Sequence, residues 1–334
     1  MMRTASFFLL PLMSMIFQSC FKKDQMIAPH PRENVLTDTI PMTQNYLHQV
    51  YFSLDSAKIV SMNVKTVYDL GFECSRSGWH VILNTSDFMK VADLGSVPFG
   101  NPHDTTGLKL SFDKSDGNPD STAIGRWFTI SGQDTLASNH VYAVSRGLDE
   151  LGNPLGLYQL ILDSLKYNTF YFRYAPLKGG PVSSAAVTKN PEVSYIFFSL
   201  KSGSVVPVEP PSQTYDLQFT QYTTLLFTSL GFPYPYLVTG VLLNRHKVEA
   251  AVDSTLDFST INREQAMSMT YSKAMDAIGW EWKAYSFSTG VYTIWPNRNY
   301  FIHTVSGSYC KLRFIGFYSK DGLKGYPVIE YKIL

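Results

Sequence analysis

The sequence predicts an all-β protein, built mainly from antiparallel sheets and arranged as two tandem domains with at most one short helix. Three observations predict it. Aromatic residues make up 14% of the chain, with 21 Tyr and 22 Phe, a composition that suits half-buried strands. Aromatic or β-branched runs bounded by Gly, Pro, Ser and Asp recur, as at residues 195–200, 300–303, 311–317 and 328–331. Two short blocks also recur in the same order about 146 residues apart.

At the start of the chain, Arg3 precedes an apolar run over residues 7–17, interrupted by Pro11 and Ser14, and then Gln18-Ser19-Cys20. That order predicts a secretory signal over residues 1–19. The run is too short for a permanent transmembrane helix. A Cys just after such a run is where bacterial lipoproteins are cleaved and acylated, so Cys20 is the expected lipidation site; the alternative is an ordinary signal peptide with an incidental Cys. Residues 20–44 are polar, with Pro29, Pro31 and Pro41, and read as a flexible tether. No second apolar run of membrane length follows.

In the repeat, Phe52-Ser53-Leu54-Asp55-Ser56 aligns with Phe198-Ser199-Leu200-Lys201-Ser202, and Tyr68-Asp69-Leu70-Gly71-Phe72 with Tyr215-Asp216-Leu217-Gln218-Phe219. With Val60 against Val206, nine positions are identical. Further on, Trp127 and residues 139–144 parallel Trp282 and residues 299–303, and residues 158–162 parallel 310–314. A period this long makes the repeating unit a whole domain. The expected domains are therefore 45–180 and 191–334, with a linker over 178–191 marked by Gly179-Gly180-Pro181 and Ser183-Ser184.

Turn chemistry predicts hairpins at Ser306-Gly307-Ser308 and Lys320-Asp321-Gly322. Apolar spacing at Ala266, Met269, Ala274 and Ile278, with Asn262 as cap and Gln265 three residues later, predicts either one helix over residues 261–278 or an ordered loop. Net charge is +1 with 16% charged residues, which argues against a nucleic-acid partner. Beyond Cys20 there remain Cys74 and Cys310, too few for a disulfide framework; they form either one bridge or two buried thiols. No short catalytic, phosphate-loop or dinucleotide motif occurs in the mature chain, and the expectation is a binding protein rather than an enzyme.

Several residues are candidates for binding. Tyr234-Pro235-Tyr236 is a Pro-stiffened aromatic loop that either stacks on a flat ring ligand or packs on its own domain. His246 lies in a polar stretch and His303 in an aromatic strand, where a structural role is the simpler reading. Residues 113–120 are oxygen-rich but lack EF-hand spacing, so they read as a solvated turn rather than a calcium loop.

The second half resembles the HmuY family of bacterial surface lipoproteins. The resemblance rests on Phe197-Phe198-Ser199-Leu200, Val205-Val206, Tyr215-Asp216-Leu217-Gln218-Phe219, Trp282 with Tyr285-Ser286, Lys311-Leu312-Arg313-Phe314 and residues 326–331. The first half resembles it more faintly through the repeat. The resemblance implies an all-β lipoprotein anchored at the outer membrane or cell surface of a Bacteroidetes-type bacterium, one that captures haem and passes it to a TonB-dependent receptor. The alternative is a structural or adhesive surface module that binds glycan or protein after losing the haem site. Phe287 stands where the family carries its second haem-ligating His, and phenylalanine cannot ligate iron. A Met thioether is then the donor the resemblance allows, and Met267, Met269 and Met275 lie where the first ligand would fall, with Met267 and Met269 the leading candidates.

Overall fold

The computed structural model describes residues 34–131, 134–286 and 288–334. Cys20 and Phe287 lie outside the described residues. The chain opens with β1 (Leu36–Thr39). The first half then runs through β2 (His48–Ser53), β3 (Lys58–Val64), β4 (Leu70–Glu73), β5 (Val81–Leu83) and β6 (Lys90–Asp93). It closes with β7 (Phe128–Ser131), β8 (Asp134–Ala137), β9 (Val141–Ser145), β10 (Leu157–Lys166), β11 (Thr169–Pro176) and β12 (Ser183–Thr188). The second half repeats the series as β13 (Tyr195–Ser199), β14 (Ser204–Val206), β15 (Leu217–Phe227), β16 (Pro233–Leu243) and β17 (Glu249–Asp253). After α1 (Arg263–Ser268) come β18 (Lys283–Ser286), β19 (Val291–Ile294), β20 (Asn299–His303), β21 (Tyr309–Tyr318) and β22 (Lys324–Ile333). The all-β, antiparallel class with one short helix is what the structure has.

The halves are related strand for strand. Two five-stranded sheets, β12-β11-β10-β9-β6 and β1-β22-β21-β20-β17, correspond in order, as do two four-stranded sheets, β14-β13-β4-β5 and β3-β2-β15-β16. The four-stranded sheets are exchanged between the halves. β2 pairs with β15, placing Phe52 opposite Leu217, and β13 pairs with β4, placing Phe198 opposite Leu70. The two blocks of the sequence repeat are the two sides of this exchange. Asp216 donates its amide to the Phe52 carbonyl (2.9 Å) and accepts the Leu54 amide on Oδ2 (2.8 Å). In the mirror position Asp69 donates to the Phe198 carbonyl (2.9 Å) and accepts the Leu200 amide on Oδ2 (2.7 Å).

Each hydrophobic core is consequently completed by the other half. Val50, Phe52 and Leu54 pack with Leu217, Trp282, Tyr300, Phe314 and Tyr331, while Phe198 and Leu200 pack with Leu70, Trp127, Phe170 and Phe172. The boundary drawn over 178–191 therefore follows the repeat in sequence and not the partition of the cores. The expected linker itself contains β12, which pairs with β11 and occupies the place that β1 takes beside β22 in the other five-stranded sheet. Part of the stretch expected as a tether over 20–44 belongs to the fold, since β1 begins at Leu36. Leu36 packs on the core, and Ile40 and Met42 are fully buried in it, a spacing of two that the prolines and polar neighbours obscured.

The helix expected over 261–278 is one turn and a half, Arg263–Ser268, with the capping box at Asn262 and Gln265 in place. Beyond it, tertiary pairing outweighs helical spacing, because Ser272 and Gly279 bridge Ala250 and Val241. Both predicted hairpin turns are present, closed by Thr304 amide to Ser308 carbonyl (2.8 Å) and Ser319 amide to Leu323 carbonyl (2.8 Å). Cys74 and Cys310 are buried thiols, Cys310 in the core built on β20–β22.

Candidate functional site

The feature that separates the two halves is one hairpin. β4 and β5 pair over three residues, whereas β15 and β16 stay in register from Leu217 opposite Leu243 to Phe227 opposite Pro233. The near part of this hairpin is buried and the far part projects, leaving Phe227 (65% exposed), Leu230 (81%) and Phe232 (65%) at its tip. From Leu217 to Leu243 it carries no charged residue.

Facing the projecting hairpin is the short β18–β19 hairpin, in which Tyr285 is opposite Tyr292. Between them lies a cavity of about 550 Å³ whose walls carry Tyr234, Tyr236, Trp280, Tyr285 and Tyr292, with Tyr46 from the first half completing it. Gly240 lets the Trp280 wall come close, since a Cβ there would lie 2.5 Å from the Gly279 carbonyl oxygen. Tyr234 and Tyr236 meet edge to face at 6.2 Å, and the rings of Tyr285 and Tyr292 lie 4.9 Å apart. Volume, concavity and an aromatic lining that mixes apolar faces with polar groups are compatible with a small-molecule site.

The polar groups in it are phenols, Gln221, Thr239 and two ammonium groups. Burial, with neighbouring phenols adding to it, holds the Tyr46 hydroxyl well above the ordinary phenol range, and burial also raises Tyr292, so both are neutral donors at neutral pH. Lys324 lies at the edge, its Nζ 5.7 Å from the Tyr46 ring. Lys283 lies deeper, donating to the Thr239 carbonyl, and desolvation pulls it down to about 7. No carboxylate lines the cavity among the described residues.

Of the residues singled out in sequence, the structure brings Tyr234 and Tyr236 to this cavity. Met267 and Met269 are not part of it: Met267 is 58% exposed on α1, and Met269 packs against the cluster of Ala251, Phe258 and Phe301. Met275 and His246 line a different depression, about 740 Å³, beside Arg245 and residues 191–195, where the His246 Nε2 lies 2.8 Å from the Gln213 amide nitrogen. His303 stacks on Tyr309 (4.8 Å) and contacts Glu249 (3.2 Å), a structural arrangement. In the oxygen-rich loop, Asp113 is buried and accepts the Leu83 and Ala123 amides, and Asp116 accepts the Asn118 amide, which makes the segment a turn. Among the described residues no group of three or more His, Cys, Asp or Glu is placed to hold a metal ion.

Sequence reasoning missed Lys283, Trp280, Tyr46 and Tyr292. The available signal was the pair Tyr285 and Tyr292 around Ser288-Thr289-Gly290, a hairpin whose same-face tyrosines had to meet.

A pseudo-symmetric β scaffold that holds one projecting aromatic hairpin over a concave cavity defines a ligand-binding protein. The chain belongs to the HmuY family: the family model described as HmuY protein matches residues 45–331, continuously across both halves. Among solved structures, apo PinO from Porphyromonas gingivitis aligns over 91% of this chain and 98% of its own, at 9% identity and a TM-score of 0.29. An apo HmuY analog from Tannerella forsythia aligns over 92% and 97%, at 8% identity and a TM-score of 0.27. No curated protein matches the chain. No helix among the described residues is long and apolar enough to cross a membrane.

Proposed function

We propose that this chain is a non-enzymatic surface lipoprotein, anchored through Cys20, that takes up a flat tetrapyrrole, haem first, and passes it to a TonB-dependent outer-membrane receptor. The observation that carries the reading is the cavity between β15–β16 and β18–β19, where five tyrosines and Trp280 surround a space suited to a planar aromatic ring. The family supplies the choice of haem. Tyr234 and Tyr236 would hold it, through ring stacking and through phenol oxygens, a donor type that haem iron accepts. Met267 and Met269 are set aside, since neither borders the cavity. Haem, when bound, would supply an iron that can change oxidation state.

The test is an absorbance titration of the purified chain with haemin, under oxidising and reducing conditions. Saturable Soret shifts in the wild type that are lost in a Tyr234→Ala/Tyr236→Ala double variant support the reading. No spectral change in either redox state would sink it. A second reading, an adhesive module that contacts glycan or protein, is favoured by the uncharged apolar hairpin tip at Phe227, Leu230 and Phe232. Absence of haemin binding together with retention on glycan or protein surfaces would select it.

A further inference from the structure

We propose that Lys283 is the anion receptor of the aromatic cavity, so that the ligand class is an aromatic carboxylate whose acid group docks at the cavity floor. The inference rests on the cavity being the ligand site, and it adds what the ligand must carry and which end goes in first.

Three observations lead there. Lys283 is 5% exposed, yet its side chain borders the cavity. Its Nζ lies 4.1 Å from the Trp282 ring centroid, 4.9 Å from Phe317 and 5.7 Å from Tyr292, so ring faces surround the charge. An ammonium group has three donors, and the Thr239 carbonyl takes one of them. Among the described residues no carboxylate forms an ion pair with it.

A buried ammonium without a counter-ion is costly, and proteins compensate such charges by pairing or by neutralisation. Here no pairing carboxylate is found among the described residues, and Lys283 is one of the residues that line the cavity. Lys324 adds a second positive charge at the edge, and no acid opposes either. An apolar ring alone would leave the ammonium form of Lys283 without a counter-ion; a ring bearing a carboxylate would satisfy both the walls and that charge.

Desolvation, which holds the Lys283 amine near neutrality, gives the reading a pH signature. A bound carboxylate favours the ammonium form, so above about pH 7 binding must take up a proton. The titratable groups that line the cavity with Lys283 are the phenols of Tyr46, Tyr234, Tyr236, Tyr285 and Tyr292 together with Lys324, while Glu281 and Arg298 pair with each other at 3.3 Å. Of these, Tyr46 and Tyr292 are raised and stay protonated through this range.

The experiment is a fluorescence titration of the full chain with protoporphyrin IX and with its dimethyl ester, at pH 6.5 and 8.5, for the wild type, Lys283→Met and Lys283→Arg. The metal-free ring removes iron ligation from the comparison. The wild type should bind the diacid at least about tenfold tighter than the diester, as a charged hydrogen bond implies. The preference should shrink at pH 8.5, vanish in Lys283→Met and persist in Lys283→Arg. Equal wild-type affinity for acid and ester, or an unchanged preference in Lys283→Met, overturns the role of Lys283 and leaves the site standing. Binding of neither porphyrin refutes the site itself, and this inference with it. Should Lys283→Met not fold, the wild-type acid-to-ester ratio and its pH dependence decide the matter alone.

Discussion

Cutting the chain after Asn190 separates the two sequence repeats, and the strand exchange dictates an unequal outcome. The fragment from Pro191 onward loses Ile40, Met42, Val50, Phe52 and Leu54 from its core, each 0–1% exposed in the intact chain. At roughly 1.5–3 kcal/mol per buried large apolar side chain, the loss is about 7–15 kcal/mol. That is as large as the whole stability of a typical domain, about 5–15 kcal/mol. The fragment also loses β2 as the partner of β15 and β1 as the partner of β22. The fragment ending at Asn190 loses mainly Phe198 and Leu200, about 3–6 kcal/mol by the same measure, together with the β13 partner of β4. The second fragment alone should therefore show no cooperative urea transition, and the first a weak one. Mixing the two should restore a single transition near that of the intact chain. Circular dichroism melts of each fragment and of the mixture make the measurement. A fragment of residues 191–334 that melts cooperatively by itself, near the intact midpoint, would refute the exchange as the basis of stability.

Asn244 is 1% exposed, donates to the Ser212 and Tyr215 carbonyls (2.8 and 2.7 Å) and accepts the His246 amide (2.9 Å); Asn244→Ala should cost about 2–5 kcal/mol in urea unfolding, and a change below about 0.5 kcal/mol would show the clamp to be dispensable. Met267→Ala should leave haemin binding unchanged and Tyr236→Ala should weaken it; because a phenol oxygen is a harder donor than a thioether, binding should favour ferric over ferrous iron, and tighter binding on adding dithionite would contradict the site. Lys283 lies at about 7 in the folded chain against 10.5 unfolded, so the unfolded state binds more protons between those values and ligand-free stability should rise with pH from 7 to 9. The gain is roughly 2–3 kcal/mol, and Lys283→Met should remove that part of the slope; identical slopes in both proteins would show that Lys283 does not titrate there.

Much of the strand pattern was readable in the sequence, because aromatic and β-branched runs with Gly-containing turns leave few alternatives at 195–200, 299–303 and 309–333. The exchange was not. Asp69 and Asp216 sit in near-identical blocks, so Asp69 can hook Leu54 or Leu200 with the same local chemistry, and only the path of residues 65–69 between cores decides. Buried Asn84 and Asn244 escaped notice because one buried Asn leaves no pattern, although each donates to the carbonyl of the Tyr that opens a Tyr-Asp-Leu block, Tyr68 (3.0 Å) and Tyr215 (2.7 Å). Lys283 was hidden for a related reason: in Trp282-Lys283-Ala284-Tyr285 it reads as a solvent-facing strand position, whereas the burial order of β18 puts it inside. The methionines at 267 and 269 were placed by the family resemblance and by the helix expected over 261–278, and the helix ends before Met269.

The two halves share a scaffold strand for strand, and the aromatic cavity is built mainly from the second, with Tyr46 from the first, for a local reason. In the first half the space beside the short β4–β5 hairpin is filled by Trp79, which stacks on His80 (3.8 Å), meets Phe128 edge to face (5.1 Å) and accepts the Trp127 indole N–H on its carbonyl (2.9 Å). In the second half Trp282, buried like its counterpart Trp127, stacks on Phe314 (3.9 Å, planes 10° apart), and the lengthened β15–β16 hairpin borders the cavity. Substitutions at residues such as Asn84, Asn244 or Phe52 should move stability without altering ligand preference, while those at Tyr234 and Tyr236 should do the reverse, because the hairpin that carries these tyrosines projects from the cores that hold the fold together.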